Sequence, residues 1–192
     1  EGGKWIGVPC GIRVTEGTGG LGSLKLESLS RYKSWLCVKN QIPEFTVREF
    51  LRGRQWANGM VYYNNEYVKG AALECVEYVM ANVAPSHVTG NTAFARFLDE
   101  DGINKFCDDC IQYLCKKLNV QAHGILSFDL KEDKDGNMKV TEVNIRHMAY
   151  TGVMAQVGFD LIEDTIRIME DGNADNVTRD PYHHYDKPYV FF

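Results

Sequence analysis

An α+β fold built on antiparallel sheets is predicted by three stretches of this 192-residue sequence. In 124–146, two runs rich in apolar and β-branched residues flank Asp135-Gly136, a dipeptide that favours a two-residue hairpin turn. In 56–69, an apolar run breaks at Asn64-Asn65 and resumes, which predicts a second hairpin because Asn tolerates left-handed turn conformations. In 101–118, Ile103, Phe106, Cys107, Cys110, Leu114 and Leu118 recur at helical spacing, with Lys116 and Lys117 in the last turn, where cations suit the helix dipole.

The other elements follow in order. Residues 11–15 and 23–26 read as short strands around a glycine-rich loop, and 28–38 as a helix with Ser28 as its N-cap. Pro43 ends that helix, and 45–51 reads as a strand. Residues 71–80 fit either helix or strand, and 83–91 reads as a polar loop. Asp160 and Glu163 form a capping box that opens a helix over 161–169, and Gly172 ends it. No internal repeat is visible. The expected division is a first lobe over 1–43, a second over 44–172 and an irregular aromatic tail over 173–192.

Chemistry concentrates in the first of these stretches. If Asp135-Gly136 is the whole turn, Asp129 lies opposite Glu142, Ser127 opposite Asn144 and Ile125 opposite Arg146. Alternation then puts Asp129, Glu142, Asn144 and Arg146 on one face, and Leu126, Phe128, Leu130, Val143 and Ile145 on a core face. Two opposed carboxylates sit about 4.5–5.5 Å apart at Cβ and repel. A divalent cation turns that repulsion into a site, and magnesium typically takes one or two carboxylates plus substrate phosphates. A solvated polar hairpin face is the alternative.

Asp129 followed by Glu142-x-Asn144-x-Arg146 resembles the end of an ATP-grasp domain. The family's preceding landmarks have counterparts in the right order. Arg13-Val14, then Gly17-Thr18-Gly19-Gly20-Leu21-Gly22, resembles a strand carrying Lys-Pro followed by a glycine loop. Glu49-Phe50-Leu51-Arg52-Gly53 resembles the hinge strand. The likeness runs from about Cys10 to Gly172 and is closest to the carbamoyl-phosphate-synthetase-like and carboxylate–amine ligase branch.

The resemblance implies two lobes gripping ATP, with magnesium or manganese held by Asp129, Glu142 and Asn144. It implies phosphate contacts from Arg13, Gly17, Gly19, Gly20 and Gly22, an adenine edge on Glu49, Phe50 and Leu51, and a ribose contact from Gln55. Arg146 is the implied catalytic residue, neutralising a transferring phosphoryl group. The implied reaction activates a carboxylate as an acyl-phosphate for attack by an amine, with release of ADP. The alternative is a nucleotide-binding module without catalysis. Arg13 replaces a family Lys, Val14 a Pro and Gln55 a Glu, and a guanidinium fork does not reproduce an ammonium contact.

Composition narrows the partners. A net charge of −5 argues against general binding to nucleic acid or anionic membranes. The partners that the resemblance implies are small-molecule carboxylates and amines. No apolar run reaches membrane-spanning length, and the expected location is the cytoplasm. The six cysteines are therefore expected to be reduced. Cys107-x-x-Cys110 reads either as buried thiols on a helix or as half of a zinc or redox site. Five further features keep a second reading. Arg13 suits phosphate or a surface ion pair, and the glycine cluster a phosphate loop or a plain turn. Lys69 suits phosphate or solvent, residues 88–92 an acceptor loop or a connector, and His183 and His184 a metal or a packed tail. Only a short stretch precedes Cys10, where relatives begin their first lobe. The expectation is thus an incomplete chain with apolar surface near residues 5–12, needing an N-terminal segment or a homo-oligomer for full activity.

Overall fold

The computed structural model describes residues 9–15, 24–38, 44–83, 92–98, 101–179 and 189–191. The chain divides into two compact units, 1–52 with 77–93, and 53–76 with 94–192. Both sheets are antiparallel, and the class is α+β, as the sequence predicts.

The first unit contains strands β1 (Cys10–Val14), β2 (Leu24–Leu26) and β3 (Phe45–Glu49), in the order β2-β1-β3, with helix α1 (Leu29–Val38). The Ser28 hydroxyl accepts the Arg31 amide at 3.3 Å and caps α1. Cys10, Ile12, Leu26 and Trp35 make a small core, closed by Phe45 with its ring edge-on to Trp35 at 5.1 Å. Cys10 and Ile12 are therefore buried, against the expectation of exposed apolar surface there; residues 5–8 lie outside the described residues.

The second unit is built on a six-stranded sheet. Its strands are β4 (Gln55–Tyr63), β5 (Glu66–Tyr78), β6 (Thr92–Phe97), β7 (Gly124–Glu132), β8 (Met138–Asn144) and β9 (Tyr189–Phe191), in the order β8-β7-β4-β5-β6-β9. Asn64 and Asn65 turn β4 into β5 with φ of 47° and 71°, the left-handed pair that a type I′ turn needs. Residues 71–78 resolve as strand.

Helix α2 (Asp101–Leu118) covers one sheet face. Ile103, Cys107, Ile111 and Cys115 pack there on Trp56, Met60, Tyr62, Phe128 and Leu130. The buried stripe runs at i, i+4, i+8, so Ile111 and Cys115 take the inward positions expected of Leu114 and Leu118, which are exposed. Helices α3 (Thr151–Gln156) and α4 (Leu161–Asp171) cover part of the other face. Gly59 lets them approach: a Cβ there would lie 3.2 Å from Leu161 Cδ1 and 3.5 Å from Met154 Sδ. Asp160 accepts the Glu163 amide and Gly172 ends α4 at φ 65°, but the Glu163 carboxylate pairs with Arg167 instead of closing the capping box. Under α4, Lys69 is buried and ion-paired with Asp164, so it serves neither phosphate nor solvent.

The 124–146 hairpin has the expected register at its far end and a different turn. The ladder closes at Glu132 opposite Met138, not at Lys134 opposite Asn137. Asp133 organises the loop: its Oδ1 accepts the amides of Asp135 and Asn137, each at 2.9 Å, and its own amide donates to the Asn137 carbonyl at 2.9 Å. Gly136 completes the loop at φ 83°, the left-handed position of a three-residue hairpin connection.

Those donors, the Asn137 amide foremost, hold the Asp133 carboxyl down at about 2. A depressed carboxyl stabilises the fold above its unfolded value and loses that contribution as pH falls through the folded value. The melting-temperature advantage of the native protein over Asp133→Ala is therefore expected to be full above roughly pH 4, the ordinary aspartate range. It should shrink as pH falls towards about 2. Thermal melts across that range will show whether the advantage tracks the carboxyl; one that is independent of pH removes the charge from the account.

Candidate functional site

The candidate metal residues sit on the β7–β8 ladder. Asp129 pairs with Glu142 and Ser127 with Asn144, so Asp129, Glu142 and Asn144 share one sheet face. This arrangement depends on an irregularity. Nearer the turn Leu130 faces Val140, leaving Thr141 as the extra residue of a bulge. The Thr141 hydroxyl donates to the Asp129 carbonyl at 2.9 Å and ties the bulge to the strand it bends from. The Ser127 hydroxyl donates to the Arg146 carbonyl at 3.2 Å and holds the chain as it leaves β8.

The neighbours of this face are small. Ala57 stands beside Asp129 and Gly59 beside Ser127 on β4, so side-chain bulk on that strand does not crowd the acids. All three candidate ligands are partly exposed. They offer two carboxylates and one amide oxygen, the hard-oxygen chemistry that magnesium accepts alongside phosphates and water. Among the described residues, no group of three or more His, Cys, Asp or Glu side chains is placed to hold a metal without such help.

Arg146 departs from its expected place. The ladder ends at Asn144, and Arg146 lies in the bend beyond, exposed, with Nη1 donating to the His147 carbonyl at 3.1 Å. It is not paired with Ile125. The expected core face is also incomplete: Val143 is 38% and Ile145 86% exposed, because β8 is the sheet's edge and α2 packs over β4 and β7.

Other candidates divide between the units. Gln55 opens β4 in the second unit, between Cys75 and Lys131. In the first unit, Arg13 lies in β1 opposite Thr46, and Glu49 ends β3 opposite Cys10. Phe50 and Leu51 follow β3, and Lys25 Nζ stands 5.2 Å from the centre of the Phe50 ring. Gly17, Gly19, Gly20, Gly22, the loop 88–91, His183 and His184 lie outside the described residues.

The roles of three residues at the site escaped sequence reasoning. Thr141 and Ser127 act through single hydroxyl contacts that periodicity does not encode. Lys131 was legible as a cation two positions from Asp129, hence on the same face. It is half-buried, and burial pushes its ammonium below the usual lysine range.

Cys107 is fully buried on the inward stripe of α2, and Cys110 partly so. Burial, with Cys110 adding to it, drives the Cys107 thiol well above its ordinary range, which suppresses thiolate chemistry. Cys37 is exposed. Alkylation of the native protein is expected to label Cys37 first and Cys107 only on unfolding, and elemental analysis to find no stoichiometric zinc. Prompt labelling of Cys107, or one zinc per chain, would overturn the packing role.

No family model and no curated protein matches the chain by sequence. Solved structures match its fold. Biotin carboxylase from Campylobacter jejuni, solved with β-γ-ATP, superposes with a TM-score of 0.62 at 14% identity over 95% of this chain and 39% of its own. The biotin carboxylase domain of 2-oxoglutarate carboxylase from Hydrogenobacter thermophilus, solved with MgADP, ADP and bicarbonate, gives 0.66 at 12% identity over 96% and 41%. Phosphoribosylamine–glycine ligase from Thermotoga maritima gives 0.67 at 17% over 95% and 48%. The chain thus spans less than half the length of each.

Proposed function

We propose that this chain, whose fold is that of the ATP-grasp enzymes, is the nucleotide-handling part of an ATP- and magnesium-dependent ligase. The observation that carries this reading is the register of the β7–β8 ladder, which opposes Asp129 to Glu142 and sets Asn144 on the same face. The named complexes of two fold neighbours, with β-γ-ATP and with MgADP, support it.

The proposed roles are these. Asp129 and Glu142 supply carboxylate oxygens to the cation, and Asn144 its amide oxygen. Magnesium, or manganese, held there orients the terminal phosphates and offsets their developing charge. Arg146, exposed on the segment just past β8, donates to the transferring phosphoryl oxygens. In the first unit, Arg13 and the amides of Gly17, Gly19, Gly20 and Gly22 take phosphate oxygens, and the backbone at Glu49, Phe50 and Leu51 takes the adenine edge. Gln55, in the second, takes a ribose hydroxyl. The reaction transfers the γ-phosphoryl group of ATP to a carboxylate, releasing ADP, and an amine then attacks the acyl carbon and displaces phosphate. No side chain acts as a covalent nucleophile. Nucleotide binding without turnover is the second reading, favoured by the share of the neighbours' length that the chain covers.

Calorimetry with MgATP tests the site. Glu142→Gln and Asn144→Ala are each expected to weaken binding by roughly tenfold or more, since each removes a charged or oxygen ligand contact of about 1.5–3 kcal/mol. Unchanged affinity in both, with the fold intact, excludes the metal assignment. ADP release with a panel of carboxylates and amines separates the readings. Little or no turnover is expected from these residues alone, with turnover restored by an added N-terminal segment. Efficient substrate-stimulated release by the chain on its own would show that it needs no such addition.

A further inference from the structure

The acidic row on the β7–β8 ladder has a basic row beside it. Asp129 faces Glu142, and two positions towards the turn Lys131 faces Lys139. Like charges directly opposed destabilise a sheet, and this ladder carries two such pairs in succession. Successive same-face positions on a strand are about 7 Å apart.

The two lysines are not equivalent. Lys139 is largely exposed and pairs with Asp133 at 3.4 Å. Lys131 is half-buried, flanked by Gln55 on β4, and its ammonium has no hydrogen-bond or ion-pair partner among the described residues. An ammonium has three donors and no acceptor function, and burying it without an acceptor is unfavourable. A ligand that brings a cation to the acids and anionic oxygens to the lysine satisfies both rows. A metal-chelated polyphosphate has that alternation, with phosphate oxygens a few ångströms from the metal they bind.

We propose that Lys131 is a further ligand-binding residue, donating to a phosphate oxygen of the nucleotide whose metal is held by Asp129, Glu142 and Asn144. This rests on the proposed nucleotide site and adds a contact to it. The competing role is structural: Lys131 as a standing offset to the repulsion between Asp129 and Glu142. The two roles make opposite demands. A phosphate contact is absent from the unliganded protein, so removing the ammonium there relieves a burial penalty. A structural offset acts without ligand, so removing it lowers stability.

The test measures Lys131→Met and Lys131→Gln beside the native protein, by calorimetry with MgADP and by thermal melting without ligand. The expected result is a loss of MgADP affinity of roughly 10–100-fold, the worth of one charge-assisted hydrogen bond, with a melting temperature equal to or above native. Unchanged MgADP affinity in either folded variant overturns the proposal. So does a loss accompanied by a lowered melting temperature in both, which assigns the structural role. If the native protein binds no MgADP, the nucleotide reading fails first and this contact with it. If it binds and only the lysine variants behave as native, the nucleotide reading stands and the Lys131 contact falls.

Discussion

The carboxylate of Glu132 fixes the frame on which the candidate site is built. It accepts the Arg54 amide at 3.1 Å, Arg54 Nε at 2.9 Å and Trp56 Nε1 at 3.2 Å. Its backbone exchanges hydrogen bonds with Gly53 and Arg54. Burial alone would raise this carboxyl, but the Arg54 and Trp56 donors outweigh it and hold Glu132 below the usual range, charged and satisfied. Gly53 is part of the same knot, because a Cβ there would sit 2.4 Å from the Glu132 Cβ. The start of β4 is thereby locked to the end of β7, with Gln55 opposite Lys131. A slip of one residue would exchange the faces of the strand that moved, turning Trp56 of β4 out of the core or Asp129 of β7 into it.

Register inherited from β4 places Asp129; placing Glu142 takes a second device. The three-residue loop organised by Asp133 sets Glu132 opposite Met138. Continued without interruption, that register would bring Thr141 opposite Asp129 and turn Glu142 and Asn144 to the side of Phe128. The bulge at Thr141 restores the acids to one face, and the Thr141 hydroxyl on the Asp129 carbonyl holds it there. The site therefore depends on a compensating pair, a loop one residue off and a bulge of one residue. Bulges that re-aim side chains at functional sites follow the same logic.

That compensation explains how the sequence could yield the right partners for the wrong reason. Counting outward from Asp135-Gly136 as a two-residue turn gives Asp129 opposite Glu142 because the two errors cancel. The Asn64-Asn65 hairpin and α2 were legible because their signals are local: left-handed Asn residues and a repeating apolar spacing. Lys69 was not, since its partner Asp164 is distant in sequence and only the packing of α4 brings them together. Helix α3 carries no side-chain cap and only six residues, too few for periodicity to register.

The misread core face of β8 points to a different physical constraint on that strand. Val140, Val143 and Ile145 have the apolar character of a packed strand, yet all three are exposed. The hydrophobic effect on that side does little to choose a register for an edge strand. What holds β8 is one-sided hydrogen bonding to β7 together with the Thr141 and Ser127 hydroxyls, which act on backbone positions. A site on such a ladder is positioned by paired strand backbone and a hydrogen-bonded bulge, so its geometry is less free than one carried on loops. Weak packing on the far side leaves the polar face as the part of β8 with chemical demands on its residues. Apolar periodicity is then an unreliable guide to this strand, whereas opposed acids, a cation two positions away and a hydroxyl at the bulge are informative about it.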